Sequence, residues 1–189
     1  MSDRPAAPAS AFFWFACGFA ALSTLPLIYR YETGQYAAAE SYYGCPVLMT
    51  EPGVALIRSD VIGKGYFGAS RNNNRTHKGI DLYSPMGQPV LASKSGRVAF
   101  AGVDKGYGNY VEIRHPDGLL TRYAHLSSMS VQTGEWLSKG QVLGAIGNTG
   151  NANDPQVIPH VHFEIRYKNH AMNPSDKLLD PAITLKKQH

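Results

Sequence analysis

Short runs of alternating apolar and polar residues fill the chain from position 55 onward, and glycine-rich turns separate them. Residues 110–114 alternate in the way of a half-buried strand. They lead into residues 115–118, where proline presets φ and glycine accepts a positive φ, so residues 119–126 are expected to complete a hairpin. No long stretch repeats at the helical period. The pattern predicts a single antiparallel β domain over residues 55–175.

A different pattern marks the N-terminus, because residues 11–29 carry no charged side chain and are rich in Phe and Leu. About 20 apolar residues span a bilayer as a helix, so this run predicts a transmembrane segment rather than a core helix. An uncleaved anchor is favoured over a cleaved signal, because the small residues at 37–39 lie far beyond the run, past Arg30 and Glu32. A lipoprotein signal at Cys17 is disfavoured, since too few suitable apolar residues precede it.

The lead-in between the apolar run and the β domain is polar and aromatic without clear periodicity, which is compatible with a stalk or with a packed segment. The sequence leaves both open. The predicted organisation is a tail at 1–10, an anchor or uncleaved signal at 11–29, a stalk or lead-in at 30–54, the β domain at 55–175, and a C-terminal tail at 176–189.

Charge and composition narrow the classes of function. The formal net charge is +4 and the hydrophobic fraction is 43%, which is ordinary for a globular protein. No run of five or six basic residues occurs, so a mildly basic surface is favoured over nucleic-acid binding. The two cysteines lack CxxC spacing and indicate neither a cysteine-based zinc site nor a redox site.

Histidines and carboxylates share faces of the predicted strands. Side chains two apart in a strand lie on one face. In the last long strand this rule predicts a core face of Val161, Phe163, Ile165 and Tyr167, and an opposite face of His160, His162 and Glu164. The same rule places Tyr123 and His125 together on the hairpin.

A second group of this kind stands earlier in the chain, where His77 and Asp81 are four residues apart and separated by Gly79. Two histidines and one carboxylate leave a tetrahedral zinc ion with one open position for water, the arrangement of a hydrolytic site. The metal lowers the pKa of that water and polarises a scissile carbonyl, and a nearby base is then needed. If His77, Asp81 and His162 are the ligands, His125 and His160 remain for that role.

Each element of this constellation also has an ordinary explanation. A His-x-His pair or a His-x-x-x-Asp spacing alone is often coincidental, but their joint occurrence on β elements with His125 between them is much harder to dismiss. The remaining histidines, at positions 115, 170 and 189, are expected to be surface residues or satisfied core residues.

Longer motifs accompany these residues in a fixed order. They are RTHKGIDL at 75–82, GYGNYV at 106–111, YAHL at 123–126, GQVLG at 140–144, GNTG at 147–150, HVHFEIR at 160–166 and NP at 173–174. In this respect the chain resembles the lysostaphin/LytM-type zinc peptidases of family M23, which cut peptide crosslinks in bacterial peptidoglycan. The resemblance covers nearly the whole predicted domain.

The resemblance implies an all-β fold with antiparallel sheets of the LytM/lysostaphin type (duplicated-hybrid-motif-like), preceded here by the transmembrane helix. It implies Zn²⁺ as cofactor with His77, Asp81 and His162 as ligands. It further implies that His125 and His160 orient or deprotonate the water and stabilise the oxyanion. The segment 152–159 is longer than the short link typical of the family, so substrate preference is not carried over.

The expected function is therefore a zinc endopeptidase that hydrolyses peptidoglycan peptide crosslinks. Its domain would lie in the periplasm or outside a bacterial cell, anchored by the N-terminal segment, or secreted if that segment is cleaved. Two alternatives remain. One is a non-catalytic LytM-like module that binds and activates another wall hydrolase, although loss of zinc ligands marks such modules and all five residues are present here. The other is a zinc peptidase acting on a protein substrate.

Overall fold

The computed structural model describes residues 39–71, 74–176 and 179–188. The predicted tail at 1–10, the predicted membrane segment at 11–29 and residues 30–38 of the lead-in lie outside these ranges. Within them, no helix is both long enough and apolar enough to cross a membrane.

Strands dominate the described residues, together with one short 3-10 helix at Gly150–Ala152. In chain order the strands are β1 Val54–Ile57, β2 Ser70–Arg71, β3 Arg75–Thr76, β4 Ile80–Tyr83, β5 Pro89–Leu91, β6 Gly96–Asp104, β7 Gly108–Arg114, β8 Leu120–Leu126, β9 Ser128–Met129, β10 Trp136–Leu137, β11 Val142–Ala145, β12 His160–Tyr167, β13 His170–Met172 and β14 Thr184–Lys187. The predicted hairpin is confirmed as β7 and β8, which pair antiparallel.

The main sheet has the strand order β10-β6-β7-β8-β12-β4-β1-β14, and β13 pairs with β12 beside this path. A smaller sheet has the order β5-β11-β9, and β2 pairs with β3. All of these pairings are antiparallel except that of β1 with β14, which is parallel. The all-β, mostly antiparallel fold expected from the sequence is therefore confirmed. β12 lies between β8 and β4, at the centre of the sheet.

The central strand β12 is buried from His160 to Arg166. Val161, Phe163 and Ile165 belong to the hydrophobic core, as the alternation predicts. The prediction was wrong for Tyr167, which is 47% exposed. Its backbone pairs only with His170 of β13, whereas the pairing of β12 with β8 ends at Arg166. The tyrosine therefore lies past the part of the sheet that the core covers.

Residues on both sides of the predicted range of 55–175 also contribute to the hydrophobic core. Tyr43 and Val47 of the lead-in are core residues, as is Leu179 near the C-terminus. The backbone of Tyr43 forms a parallel bridge with that of Leu179, and β14 extends the sheet beside β1. Within residues 40–54, Tyr43 and Val47 therefore pack into the core, whereas residues 48–52 are exposed.

One glycine decides how closely two of these strands approach. A Cβ atom built on Gly79, just before β4, would clash with the backbone carbonyl of Phe163 on β12. Only glycine therefore allows the chain to enter β4 against β12, and this pairing brings the two halves of the predicted site together.

Candidate metal centre and flanking histidines

Three buried side chains, His77, Asp81 and His162, meet where β4 and β12 pair. Asp81 and His162 are cross-strand partners in the ladder. Asp81 Oδ1 is 2.8 Å from His162 Nδ1 and 2.9 Å from His77 Nε2. The two ring nitrogens are themselves 2.9 Å apart. Three potential ligand atoms from three side chains therefore converge on one point.

Hydrogen bonds on the outer sides of both rings fix which nitrogen carries hydrogen. His77 Nδ1 donates to the backbone carbonyl of Tyr66 at 2.8 Å, and His162 Nε2 donates to Glu164 Oε1 at 3.0 Å. In the neutral rings this leaves His77 Nε2 and His162 Nδ1 as acceptors, both facing the Asp81 carboxylate. Three hydrogen-bond acceptors at one point repel each other unless a cation lies among them. Their lone pairs therefore fit a metal ion such as zinc.

The electrostatics of His162 favour positive charge at the same point. Burial lowers the pKa of His162, but hydrogen bonds to Asp81 and Glu164 outweigh burial and raise that pKa to about 9. Burial likewise raises the pKa of Asp81, yet its contacts with His162 and His77 hold that pKa well below its usual range. The carboxylate is ionised and attracts a cation.

Glu164 is a residue to which the sequence analysis gave no role. Its side chain is fully buried, and its Oε1 accepts a hydrogen bond from the Tyr107 hydroxyl at 2.9 Å in addition to that from His162. Its Oε2 pairs with the guanidinium groups of Arg166 and Arg122. A carboxylate behind a ligating histidine orients the ring and raises its basicity. The available signal was its position two residues after His162 on the same strand face.

The far oxygen of Asp81 is held by two arginines that sequence reasoning also missed. Arg58 Nη2 and Arg71 Nη2 lie 3.0 and 3.1 Å from Asp81 Oδ2. These contacts leave Oδ1 to face the two histidines. Neither arginine belongs to a motif quoted above, and only the pairing of β1 with β4 brings Arg58 near Asp81.

His125 and His160 form the second part of the site. Their ring centroids are 5.1 Å apart, and the His125 ring is 5.9 Å from that of His162. The Nδ1 atoms of His125 and His160 donate to the carbonyls of Thr149 and Ile158, each at 2.8 Å, which leaves Nε2 as the acceptor in both rings. His160 Nε2 lies 3.8 Å from Asp81 Oδ1.

Both of these rings are neutral near pH 7. Burial lowers the pKa of His125 to about 3, and the nearby His160 and His162 add to this shift. Burial also lowers the pKa of His160 to about 4, against the opposing effect of the Asp81 charge. A neutral imidazole accepts a proton at one nitrogen while it donates from the other, as a base in hydrolysis must.

The prediction that Tyr123 and His125 share a face was wrong. Tyr123 is a core residue whose hydroxyl contacts Ser93, whereas His125 faces the other histidines. His125 has φ of 63°, in the left-handed region, and the register of β7 and β8 shifts nearby. The left-handed residue breaks the two-residue alternation and turns the ring away from the core.

Comparison with known proteins identifies the family. Residues 75–174 match the model of peptidase family M23, and the chain belongs to this family. The resemblance inferred from the motifs is thereby confirmed.

Relatives of this chain include both a peptidase and an activator of murein hydrolases. The chain is 43% identical over 111 residues to the DD-carboxypeptidase/endopeptidase Mpg of Neisseria meningitidis, covering 58% of this chain and 25% of Mpg. It is 40% identical over 109 residues to the murein hydrolase activator NlpD of Escherichia coli, covering 57% of this chain and 27% of NlpD. The chain thus spans about a quarter of the length of these relatives.

A solved structure extends the likeness to three dimensions. A zinc containing peptidase from Vibrio cholerae superposes with a TM-score of 0.59 at 27% identity, over 74% of this chain and 41% of that one.

Proposed function

We propose that this chain is a zinc-dependent endopeptidase that hydrolyses peptide crosslinks of bacterial peptidoglycan. The observation that carries the proposal is the convergence of His77 Nε2, Asp81 Oδ1 and His162 Nδ1, all within 2.9 Å of one another, beside two neutral histidines. These three residues would hold the zinc ion. When bound, zinc lowers the pKa of a water molecule and polarises the scissile carbonyl.

His125 and His160 would carry out the proton transfers. Each holds its Nδ1 hydrogen on a backbone carbonyl, so each offers Nε2 to the reacting groups. Burial lowers the pKa of both rings, so each is neutral at pH 7 with Nε2 free to accept a proton or a hydrogen bond. The backbone carbonyls behind them keep the rings oriented and stabilise the protonated form that arises during the reaction.

The substrate class and the location rest on the family. The name of Mpg includes an endopeptidase activity, which supports a peptide-bond substrate. If residues 11–29 form the predicted anchor, the domain would act in the periplasm or outside the cell, close to the membrane surface.

A second candidate function is activation of another wall hydrolase, and the similarity to NlpD, a murein hydrolase activator, favours it. The complete set of five site residues favours catalysis instead. A peptidase of protein substrates would use the same chemistry and would differ only in the residues that bind the substrate.

Digestion of purified sacculi by the full-length, zinc-loaded chain, with mass analysis of the released fragments, tests the proposal. We expect muropeptides cleaved within their peptide crosslinks. His125→Ala and His160→Ala are the matched controls, and each is expected to lower the rate about 10²–10⁴-fold with zinc retained. If the wild-type chain releases nothing alone but accelerates an added murein hydrolase, the activator function is correct. Cleavage of an unstructured protein but not of sacculi would indicate a protein substrate.

A further inference from the structure

The connection after β1 contains a buried carboxylate, Asp60, whose side chain is 4% exposed. Its Oδ1 accepts the backbone N–H groups of Ile62 and Gly63, both at 3.0 Å, and so closes a local turn. Its Oδ2 accepts the N–H of Ile158 at 3.1 Å, across 98 positions of sequence. Asp60 therefore ties the start of the domain to the long segment 152–159.

The backbone of Ile158 also holds a site histidine. While its N–H donates to Asp60, its carbonyl accepts the hydrogen of His160 Nδ1 at 2.8 Å. Pro159 lies between the two residues, fixes its own φ and restricts Ile158 to extended backbone. The carbonyl and the imidazole thus have little freedom to move independently. The N–H and the carbonyl of Ile158 belong to successive peptide units that the restricted backbone of Ile158 joins. A contact that fixes the N–H therefore also limits the carbonyl and the His160 ring that it holds.

Arg58 connects the same carboxylate to the metal centre. Its guanidinium pairs with Asp60 Oδ2 through Nη1 and with Asp81 Oδ2 through Nη2. Arg58, Asp81 and His160 are each at most 5% exposed. His160 Nε2 lies 3.8 Å from Asp81 Oδ1, too far for a hydrogen bond, so the bonded path from Asp81 to Ile158 runs through Arg58 and Asp60. Charge-assisted bonds between buried groups are stronger than at the surface.

We propose that Asp60 is a positioning residue that sets the orientation and tautomer of His160 through the backbone of Ile158. Its consequence for turnover rests on the hydrolase function proposed above. Asp60 touches none of the reacting groups. The long segment 152–159 is on this view a fixed part of the site, anchored by Asp60, and its last residues present His160.

Ring ¹⁵N chemical shifts of His160 in the full-length zinc-loaded chain, at a fixed neutral pH, test the proposal without reference to activity. The wild-type ring should show hydrogen on Nδ1 alone. Asp60→Ala should shift His160 towards a mixture of tautomers and lower sacculus digestion about 10- to 100-fold, with zinc content unchanged. Asp154→Ala is the matched control, because this half-buried carboxylate accepts the Gln156 N–H in the same segment and does not contact Ile158.

Two results would overturn the proposal. One is a wild-type His160 tautomer in the Asp60→Ala chain, and the other is an equal change in the Asp154→Ala chain. If Asp60→Ala does not fold, Asp60→Asn decides, since it preserves the shape but not the charge paired with Arg58. It should give a smaller change in the same direction, and an unchanged ring would contradict the inference. Should the wild-type chain fail to digest sacculi, the ring signals still report on Asp60, so the two failures are distinguishable.

Discussion

Asp81 and His162 face each other directly across the β4–β12 ladder, with 2.8 Å between Oδ1 and Nδ1. They are 81 residues apart in the sequence, and their contact depends on the register of one strand pair. A shift of that register by one residue would turn the two side chains to opposite faces of the sheet. The geometry of the site therefore depends on the register of these two strands.

Asp81→Asn and His77→Ala are expected to abolish stoichiometric zinc binding. Asp81→Asn removes the only anion among the three convergent ligand atoms while it preserves the side-chain shape, and His77→Ala removes one of the two lone-pair nitrogens. Metal content after dialysis, measured by mass spectrometry, checks this. His170→Ala, at an exposed histidine, should retain the wild-type metal content. Unchanged zinc in both site variants would refute the ligand assignment.

Glu164→Gln is expected to weaken zinc binding about 10- to 100-fold. The amide lacks the negative charge that we expect to make His162 a strong ligand. Its NH₂ group also cannot accept the hydrogen of His162 Nε2. Glu112→Gln is the matched control, because Glu112 pairs with the same Arg122 but has no contact with His162. Competition with a chromogenic chelator gives both affinities. Equal effects in the two variants would show that Arg122, and not the His162 contact, is what matters.

His125→Gly is expected to be more stable than His125→Ala by about 1 kcal/mol, because only glycine adopts a left-handed backbone without cost. Because φ is 63° at this position, the glycine variant should be more stable than the alanine variant, the reverse of their order in an ordinary strand. At the exposed strand residue Ser128, the alanine variant should be the more stable one. Urea unfolding in the presence of a chelator measures all four without a contribution from metal binding. Alanine and glycine of equal stability at position 125 would argue against backbone strain there.

His115 makes the stability of the fold depend on pH. Its ring is buried, with Nδ1 donating to Ser95 O and Nε2 beside Thr121 Oγ1, and burial lowers its pKa to about 4. Between pH 4 and about 6.5 the unfolded chain therefore binds a proton that the folded chain does not. The contribution of His115 to the free energy of unfolding is fully present above pH 6.5, and about 3 kcal/mol of it is lost as the pH drops to 4.

His115→Gln should flatten this pH dependence while lowering stability at pH 7, as followed by urea unfolding across the range in the presence of a chelator. Part of the slope will remain, because His125 and His160 are also neutral and buried. His170→Gln should leave the slope unchanged. A wild-type slope in the His115→Gln variant would show that this ring does not contribute.

Alternation and turn chemistry were sufficient to predict the β7–β8 hairpin and the inward face of β12 up to Ile165, because both depend on neighbours close in sequence. Alternation failed at Tyr167 and at His125. Tyr167 lies where the neighbouring strand has ended, and His125 leaves the strand geometry on which the rule depends. Neither property is visible in the order of apolar and polar residues.

Sequence alone determined the chemistry of the proposed site: His77, Asp81 and His162 as donors, with His125 and His160 beside them, in motifs that mark family M23. Residue type and spacing suffice there, because a ligand is defined by its atoms. Only the tertiary structure showed which buried residues contact and orient those side chains. Glu164, Arg58 and Asp60 act through contacts that exist only once β1, β4 and β12 pair and the segment 152–159 is anchored. From the sequence alone these three charged residues would be assigned to the surface, because their burial and pairing arise only in the folded sheet.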